Sequence, residues 1–153
     1  MKTLAALRRW QPSRAAKAVV LAAGCLPFAL LTLDAATDGL GPNPVETVLH
    51  RTGDWALRLL LATLAVTPLR RWTGWPWLLQ FRRMLGLLAF AYAALHGTTY
   101  VVLDRGLLWE DVVADVLERP YVTVGFTALV LMAPLAATST RAMMRRLGSH
   151  WQR

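Results

Sequence analysis

The sequence is poor in the residues from which most soluble active sites are built. Its 153 residues include nine Asp and Glu, three His and a single cysteine, Cys25. One cysteine excludes an internal disulfide. The chain has no glycine-rich phosphate loop, no CxxC pair and no Ser/His/Asp arrangement, so neither a nucleotide-binding domain nor a triad hydrolase is indicated.

Acidic residues are missing altogether from residues 1–17, 70–83 and 141–153, which hold thirteen of the seventeen Lys and Arg. All nine acids lie in residues 34–54 and 104–118. Because this alternation follows the positive-inside rule, we expect both termini and the middle basic loop to be cytoplasmic and the acidic connections to face the other side. A nucleic-acid surface would not need the alternation. The net charge of +8 is therefore explained by membrane topology, and we expect no nucleic-acid partner.

Four apolar runs separate these charged regions and predict an all-α integral membrane helical bundle, with residues 1–153 as a single membrane domain. Each run approaches the ~20 residues that a helix needs to cross a bilayer. The predicted transmembrane helices are residues 18–34, 53–70, 84–103 and 121–139. The basic start and first run could also be a cleaved signal peptide. An uncleaved span is favoured because the run is longer than a signal core and no small-x-small site follows.

Two shorter patterns complete the predicted architecture. Asn43, Pro44 and Glu46 have the spacing of a helix start, with an Asn cap, Pro at the first helical position and Glu three residues after the cap. Residues 107–117 predict a short amphipathic surface helix, with apolar residues on one side. We expect four carboxylates to share its exposed face: Glu110, Asp111, Asp115 and Glu118.

His96 is the strongest candidate for a functional residue. It lies inside the third apolar run, where an ionisable side chain is costly and by default indicates function. Small residues surround it and leave room for a flat group: Ala89, Ala93, Ala94 and Gly97. A neutral imidazole with one nitrogen free could be an axial ligand to haem iron. The alternative is a structural hydrogen bond to Thr98, Thr99 or a neighbouring helix.

The remaining candidates are weaker on sequence alone. His50 lies near the outer surface and is either a haem ligand or proton relay, or an ordinary interfacial histidine. His150 lies in the basic tail and is expected to be solvated. Arg82 and Arg83 mark the inner end of the His96 helix. Two guanidiniums can hold a phosphate or carboxylate, although topology alone would also place them there.

Several motifs, in order along the chain, resemble the YedZ/MsrQ family of the ferric-reductase-like transmembrane superfamily. They are GPNPVE at 41–46, HRTG at 50–53, TPLRR at 67–71, RRMLGL at 82–87 with His96, RPY at 119–121, TST at 138–140 and RLG at 146–148. Each motif alone is weak, but the ordered combination is specific.

The resemblance implies a bacterial inner-membrane electron-transfer subunit that binds haem b and FMN. Electrons would come from a cytoplasmic flavin reductase or from membrane quinol. They would pass through the haem to a periplasmic molybdenum-containing methionine-sulfoxide reductase that repairs oxidised proteins. His96 matches the family's haem-ligand position, and Arg82 and Arg83 match its arginine pair, suited to a flavin phosphate.

The family continues for about two more spans, with its other haem-ligating histidines beyond Arg153. The chain is therefore either a fragment or a shortened relative, and His150 is too early to be one of those ligands. No catalytic residue is expected in this chain, because the chemistry on methionine sulfoxide belongs to the partner. A different class of function remains open, namely a small membrane scaffold or assembly protein that binds no cofactor.

Overall fold

The computed structural model describes residues 13–139, and this part of the chain is helical with no β-strand. The all-α fold class is therefore confirmed. The elements in order are α1 (Arg14–Ala36), α2 (Pro44–Thr73), a 3₁₀ turn (Pro76–Leu78), α3 (Leu79–Thr99) with a π-helical turn (Tyr100–Asp104), α4 (Trp109–Glu118) and α5 (Pro120–Thr138).

The ends of α2 follow from local side-chain chemistry. The Asn43 side chain accepts a hydrogen bond from the Glu46 N–H at 3.4 Å, and its amide donates to the Glu46 carboxylate at 2.9 Å. The first bond satisfies one of the backbone donors that the first helical turn leaves unpaired, and the second holds the Asn43 side chain in place. At the other end Gly74 adopts a left-handed conformation with φ of 70° and donates to the Arg70 carbonyl. The predicted helix start is confirmed.

Within residues 13–139, three helical segments are long and apolar enough to cross a membrane: Arg14–Ala36, Pro76–Asp104 and Pro120–Thr138. They coincide with three of the four predicted transmembrane helices. The α2 helix is longer than a span requires, but Asp54 and Arg58 interrupt its apolar stretch. These two side chains form an i,i+4 ion pair at 3.5 Å, which lowers the cost of placing them near lipid. That residues 53–70 cross the membrane stays a prediction.

The most extensive helix pairing joins α2 to α3, and the core lies along it. Leu59 of α2 and Ala89 and Tyr92 of α3 are buried together. Ala89 has no exposed surface, and its small side chain lets the two backbones approach closely, as is common between membrane helices. The α5 helix packs on α3, so three helices surround the region beside His96.

Tyr92 also attaches α1 to this core. Its hydroxyl donates to the Gly24 carbonyl at 2.9 Å and accepts from the Phe28 N–H at 3.0 Å. These two backbone groups are four residues apart and would normally bond to each other within the helix. The tyrosine hydroxyl therefore enters the helical ladder next to Pro27, a residue that disrupts helical hydrogen bonding. Gly24 permits the close approach, since a Cβ there would lie 2.6 Å from Leu88 Cδ1.

Replacing Tyr92 by Phe is expected to weaken the attachment of α1. The change leaves the Gly24 carbonyl and the Phe28 N–H without the hydroxyl in an apolar environment. We expect a loss of about 1–2 kcal/mol in the free energy of unfolding, measured by denaturation in mixed micelles. Thr32→Val is the control, because the Thr32 hydroxyl bonds only to its own helix at Ala29. Equal stability of Tyr92→Phe and wild type would show that the bridging hydroxyl contributes nothing.

The α4 surface helix is also confirmed, but the expectation of four exposed carboxylates on it is wrong. Asp115 is buried, as is Val112, whereas Glu110, Asp111 and Glu118 are exposed. The physical reason is charge compensation. Two arginines and a tyrosine hydroxyl contact Asp115, and a buried carboxylate is tolerated when it is paired and hydrogen-bonded.

Candidate functional site

A cavity of about 790 Å³ opens between α2, α3 and α5. This volume falls within the ~300–1,000 Å³ typical of small-molecule and cofactor sites. His96 lies in its wall. Residues with little or no side chain make much of the apolar lining: Gly53, Ala56, Ala93, Gly97, Gly125 and Ala128. Charged and tyrosine side chains line the cavity at the end where α2 and α5 begin, termed the outer end because the positive-inside rule predicts that it faces away from the cytoplasm.

The His96 imidazole is held in one orientation by the neighbouring helix. Its Nδ1 lies 3.0 Å from the Leu49 carbonyl oxygen of α2. Because a carbonyl can only accept, Nδ1 carries a proton, and in the neutral imidazole Nε2 is the nitrogen with the lone pair. Nε2 has no hydrogen-bond partner within residues 13–139. The hydrogen bond to a neighbouring helix, which was the alternative to ligation, is therefore present, and it is also the bond that prepares a histidine to ligate a metal through its other nitrogen.

Gly53 makes room for this imidazole. A Cβ at Gly53 would lie 3.1 Å from His96 Nδ1 and 3.2 Å from Cε1, closer than ordinary van der Waals contact. On the other side of α3, a Cβ at Gly97 would lie 3.0 Å from Leu129 Cδ2. The ring is thus seated against bare backbone. A fixed imidazole with a free Nε2 has the chemistry of a haem-iron ligand. The small apolar walls of the cavity suit the flat haem ring.

His50 lies in the same cavity wall but at its mouth. Its side chain is 78% exposed and lies 3.7 Å from the Glu46 carboxylate. A histidine this exposed does not have the fixed orientation of His96. Its assignment as haem ligand or proton relay stays a prediction, and His150 lies outside the described residues.

An ion cluster, made of Tyr100, Arg105, Asp115 and Arg119, lies beside the outer end of the cavity. Asp115 accepts from the Tyr100 hydroxyl at 2.5 Å and pairs with Arg105 Nη2 at 2.5 Å and Arg119 Nε at 3.2 Å. The Tyr100 hydrogen bond, followed by the two guanidiniums, lowers the pKa of Asp115 from its ordinary value although burial opposes the shift. Asp115 therefore stays ionised at neutral pH.

Arg82 and Arg83 lie in the first turns of α3, far from this cavity. Arg82 is exposed and Arg83 is half-buried. Thirteen residues separate Arg83 from His96, which corresponds to roughly 20 Å along a helix. The adjoining connection packs its aromatic rings together, with Trp75 and Trp77 stacked and Phe81 edge-on to Trp77. The structure therefore keeps the predicted flavin-phosphate pair and the His96 cavity as two separate regions.

Sequence reasoning missed Gly53 and the ion cluster as parts of the site. The four-residue spacing of Asp115 and Arg119 was an available signal for their pairing. Nothing in the sequence around Gly53 indicated that it faces a histidine 43 positions later.

Curated proteins similar to this chain are haem-binding subunits by name. "Protein-methionine-sulfoxide reductase heme-binding subunit MsrQ" of Herminiimonas arsenicoxydans is 50% identical over 137 residues, 89% of this chain and 63% of the relative. The protein of the same name from Ralstonia nicotianae is 53% identical over 140 residues, 91% and 64% of the two chains. That from Xanthomonas campestris pv. campestris is 52% identical over 145 residues, 91% and 66%.

The chain thus spans somewhat less than two thirds of the length of these relatives. No solved structure matches it. The family described as "Ferric reductase like transmembrane component" matches residues 52–153, which include the cavity helices α2, α3 and α5 from Thr52 onward. The resemblance to the YedZ/MsrQ proteins is confirmed, and the chain belongs to the family of ferric reductase like transmembrane components.

Proposed function

We propose that this protein is the haem-binding membrane electron-transfer subunit of a methionine-sulfoxide reductase system. The observation that carries the proposal is the His96 imidazole, fixed by the Leu49 carbonyl with Nε2 available in a cavity of cofactor size. The names of the relatives support the same assignment. Haem b bound there would supply a one-electron redox centre.

The chain's own residues would bind and orient this cofactor. His96 would supply one axial nitrogen, and its hydrogen bond to Leu49 would keep the ring from rotating and raise its basicity as a ligand. The small residues of the cavity would admit a flat macrocycle, and the apolar walls would limit access of water. Axial ligation and exclusion of water are two of the means by which a protein sets a haem potential.

The partners follow from the same proposal. The electron acceptor would be a periplasmic molybdenum-containing methionine-sulfoxide reductase that repairs oxidised proteins. The donor would be a cytoplasmic flavin reductase or membrane quinol. The names of the relatives support a reductase partner, and the three candidate spans support a multi-pass location in lipid. We place the protein in the bacterial inner membrane.

The visible spectrum of the purified natural full-length protein tests this proposal. We expect the absorption bands of a low-spin b-type haem in the reduced-minus-oxidised difference. The alternative is a cofactor-free scaffold or assembly protein in which the His96–Leu49 hydrogen bond only joins two helices. A correctly inserted protein without haem absorbance would favour that alternative and contradict the proposed function.

The proposed topology places both termini in the cytoplasm. Its support is the thirteen-to-four distribution of basic residues between the two sets of segments, as the positive-inside rule requires. We expect a periplasm-active reporter fused after Arg153 to be silent, and one inserted in the acidic connection between α1 and α2 to be active. The opposite reporter pattern would contradict this topology and, with it, the proposed outward direction of electron transfer.

Arg82 and Arg83 are proposed to bind the phosphate of FMN at the inner end of α3. Replacing both by Gln is expected to lower FMN content several-fold while haem content and membrane insertion stay near wild type, since the pair does not line the His96 cavity. Replacing both by Lys keeps the charge but loses the bidentate fork, so flavin binding should weaken to a lesser extent. Unchanged FMN in the double Gln variant would assign the pair to topology alone.

A further inference from the structure

The outer end of the cavity carries charges of opposite sign on its two flanks. The α2 flank contributes the carboxylates Glu46 and Asp54, whereas Arg119 and Tyr121 line the flank where α5 begins. A bound carboxylate would be repelled on the first flank and attracted on the second.

Of the two arginines in the ion cluster, Arg119 is the more exposed. Arg105 pairs with both Asp115 and Asp104, and its Cζ lies 5.5 Å from the centroid of the Tyr100 ring. Arg119 uses Nε on Asp115 at 3.2 Å, and its Nη1 donates to the Tyr121 hydroxyl at 3.3 Å. Its Nη2 has no partner in the part of the chain that the structure describes. The Arg119 side chain is 47% exposed, so it can receive a ligand.

Asp115 acts on Arg119 as a positioning residue. Asp115 is a buried, ionised residue of α4, and its carboxylate fixes the Nε edge of the Arg119 guanidinium. The remaining Nη donors are then held beside the cavity, so that a ligand can bind them with little further loss of side-chain conformational entropy. Tyr121 adds a second donor. Its oxygen accepts from Arg119, which leaves its own O–H available to a carboxylate.

We propose that Arg119 and Tyr121 form a carboxylate subsite that binds a haem propionate and turns the propionate edge toward the outer mouth of the cavity. The inference rests on the proposed haem-binding function. Haem is an apolar disc with two carboxylates on one edge. The small apolar residues near His96 suit the disc, and Arg119 is the more exposed of the two arginines that line the cavity, with its side chain 47% exposed against 26% for Arg105.

The test compares haem with haem dimethyl ester, in which both carboxylates are capped. Each is added to the haem-depleted natural full-length protein, and affinity is measured by the growth of the Soret band. Because a charge-assisted hydrogen bond contributes more than a neutral one, we expect wild type to prefer haem by about tenfold or more. Arg119→Gln should lose most of this preference, and Arg119→Lys should retain part of it.

Arg51→Gln is the matched control. Arg51 is an outer-side arginine that also pairs with a carboxylate, Asp34, but it does not line the cavity. It should keep the full preference for haem over the ester. Tyr121→Phe should lower the preference without abolishing it, and provides a second variant if Arg119→Gln fails to insert.

Three results would overturn the inference. Equal affinity of wild type for haem and its ester would do so without any variant. An unchanged preference for haem in Arg119→Gln would also exclude Arg119. The same holds if Arg51→Gln loses as much of the preference as Arg119→Gln does. If wild type binds haem but shows no preference, the subsite fails and the proposed function stands. If it binds neither compound, the proposed function itself fails.

Discussion

His96→Ala is expected to reduce haem content by an order of magnitude or more, with loss of the low-spin spectrum. The substitution removes the nitrogen proposed as axial ligand, which the Leu49 carbonyl holds in orientation, and alanine has no group that could replace it. Haem per protein, measured as the pyridine haemochrome after purification, gives the result directly. The polypeptide should still insert in the membrane, because His96 is only half-buried and contributes little to the core.

The other two histidines serve as controls for this result. His50→Ala should keep most of the haem because that side chain is largely exposed at the cavity mouth. His150→Ala should keep all of it. Full haem content in His96→Ala, or a larger loss in His50→Ala, would place the axial ligand elsewhere.

Gly53→Val is expected to have the second-largest effect, although residue 53 is not a ligand. A Cβ there would already lie 3.1 Å from His96 Nδ1, and valine adds two methyl groups. The ring would have to tilt away and lose its hydrogen bond to Leu49. Overpacking of this kind costs about 1–3 kcal/mol, so we expect haem affinity to fall about tenfold and the remaining spectrum to shift toward high spin.

Gly86→Ala is the control for Gly53→Val. It adds a methyl group at a glycine in the same helix pair, where a Cβ would lie an ordinary 3.6 Å from Thr63 Cγ2. Its haem spectrum should be unchanged. A wild-type spectrum in Gly53→Val would show that the imidazole does not depend on the bare backbone of α2.

The parts of the fold that could be predicted from sequence depend on neighbours along the chain. The Asn43 cap and the Asp54–Arg58 pair require residues only three or four positions apart, so their spacing suffices. The long apolar runs likewise predicted three helices that are apolar enough to span. The α2 helix, predicted to span in the same way, is not among the segments found apolar enough, and its apolar stretch contains both members of an ion pair.

The parts that could not be predicted depend on contacts between distant residues. Asp115 has the sequence context of an exposed carboxylate on an amphipathic helix, yet Tyr100 and Arg105 reach it from the end of the α3 segment and bury it. Nothing in the sequence indicated that the Tyr92 hydroxyl bonds to two backbone groups of α1. His96 itself was found because an imidazole in an apolar run is unusual, whereas its Leu49 partner is a backbone carbonyl with no sequence signal.

Chemical rescue tests most directly whether His96 ligates haem. His96→Gly leaves a space the size of the lost ring beside the Leu49 carbonyl, and free imidazole can enter it, donate to that carbonyl and present its other nitrogen. We predict that His96→Gly, purified with haem and without imidazole, lacks the low-spin b-type spectrum, and that millimolar imidazole restores it. A low-spin spectrum in His96→Gly before imidazole is added, identical to that of wild type, would contradict the assignment of His96 as the axial ligand.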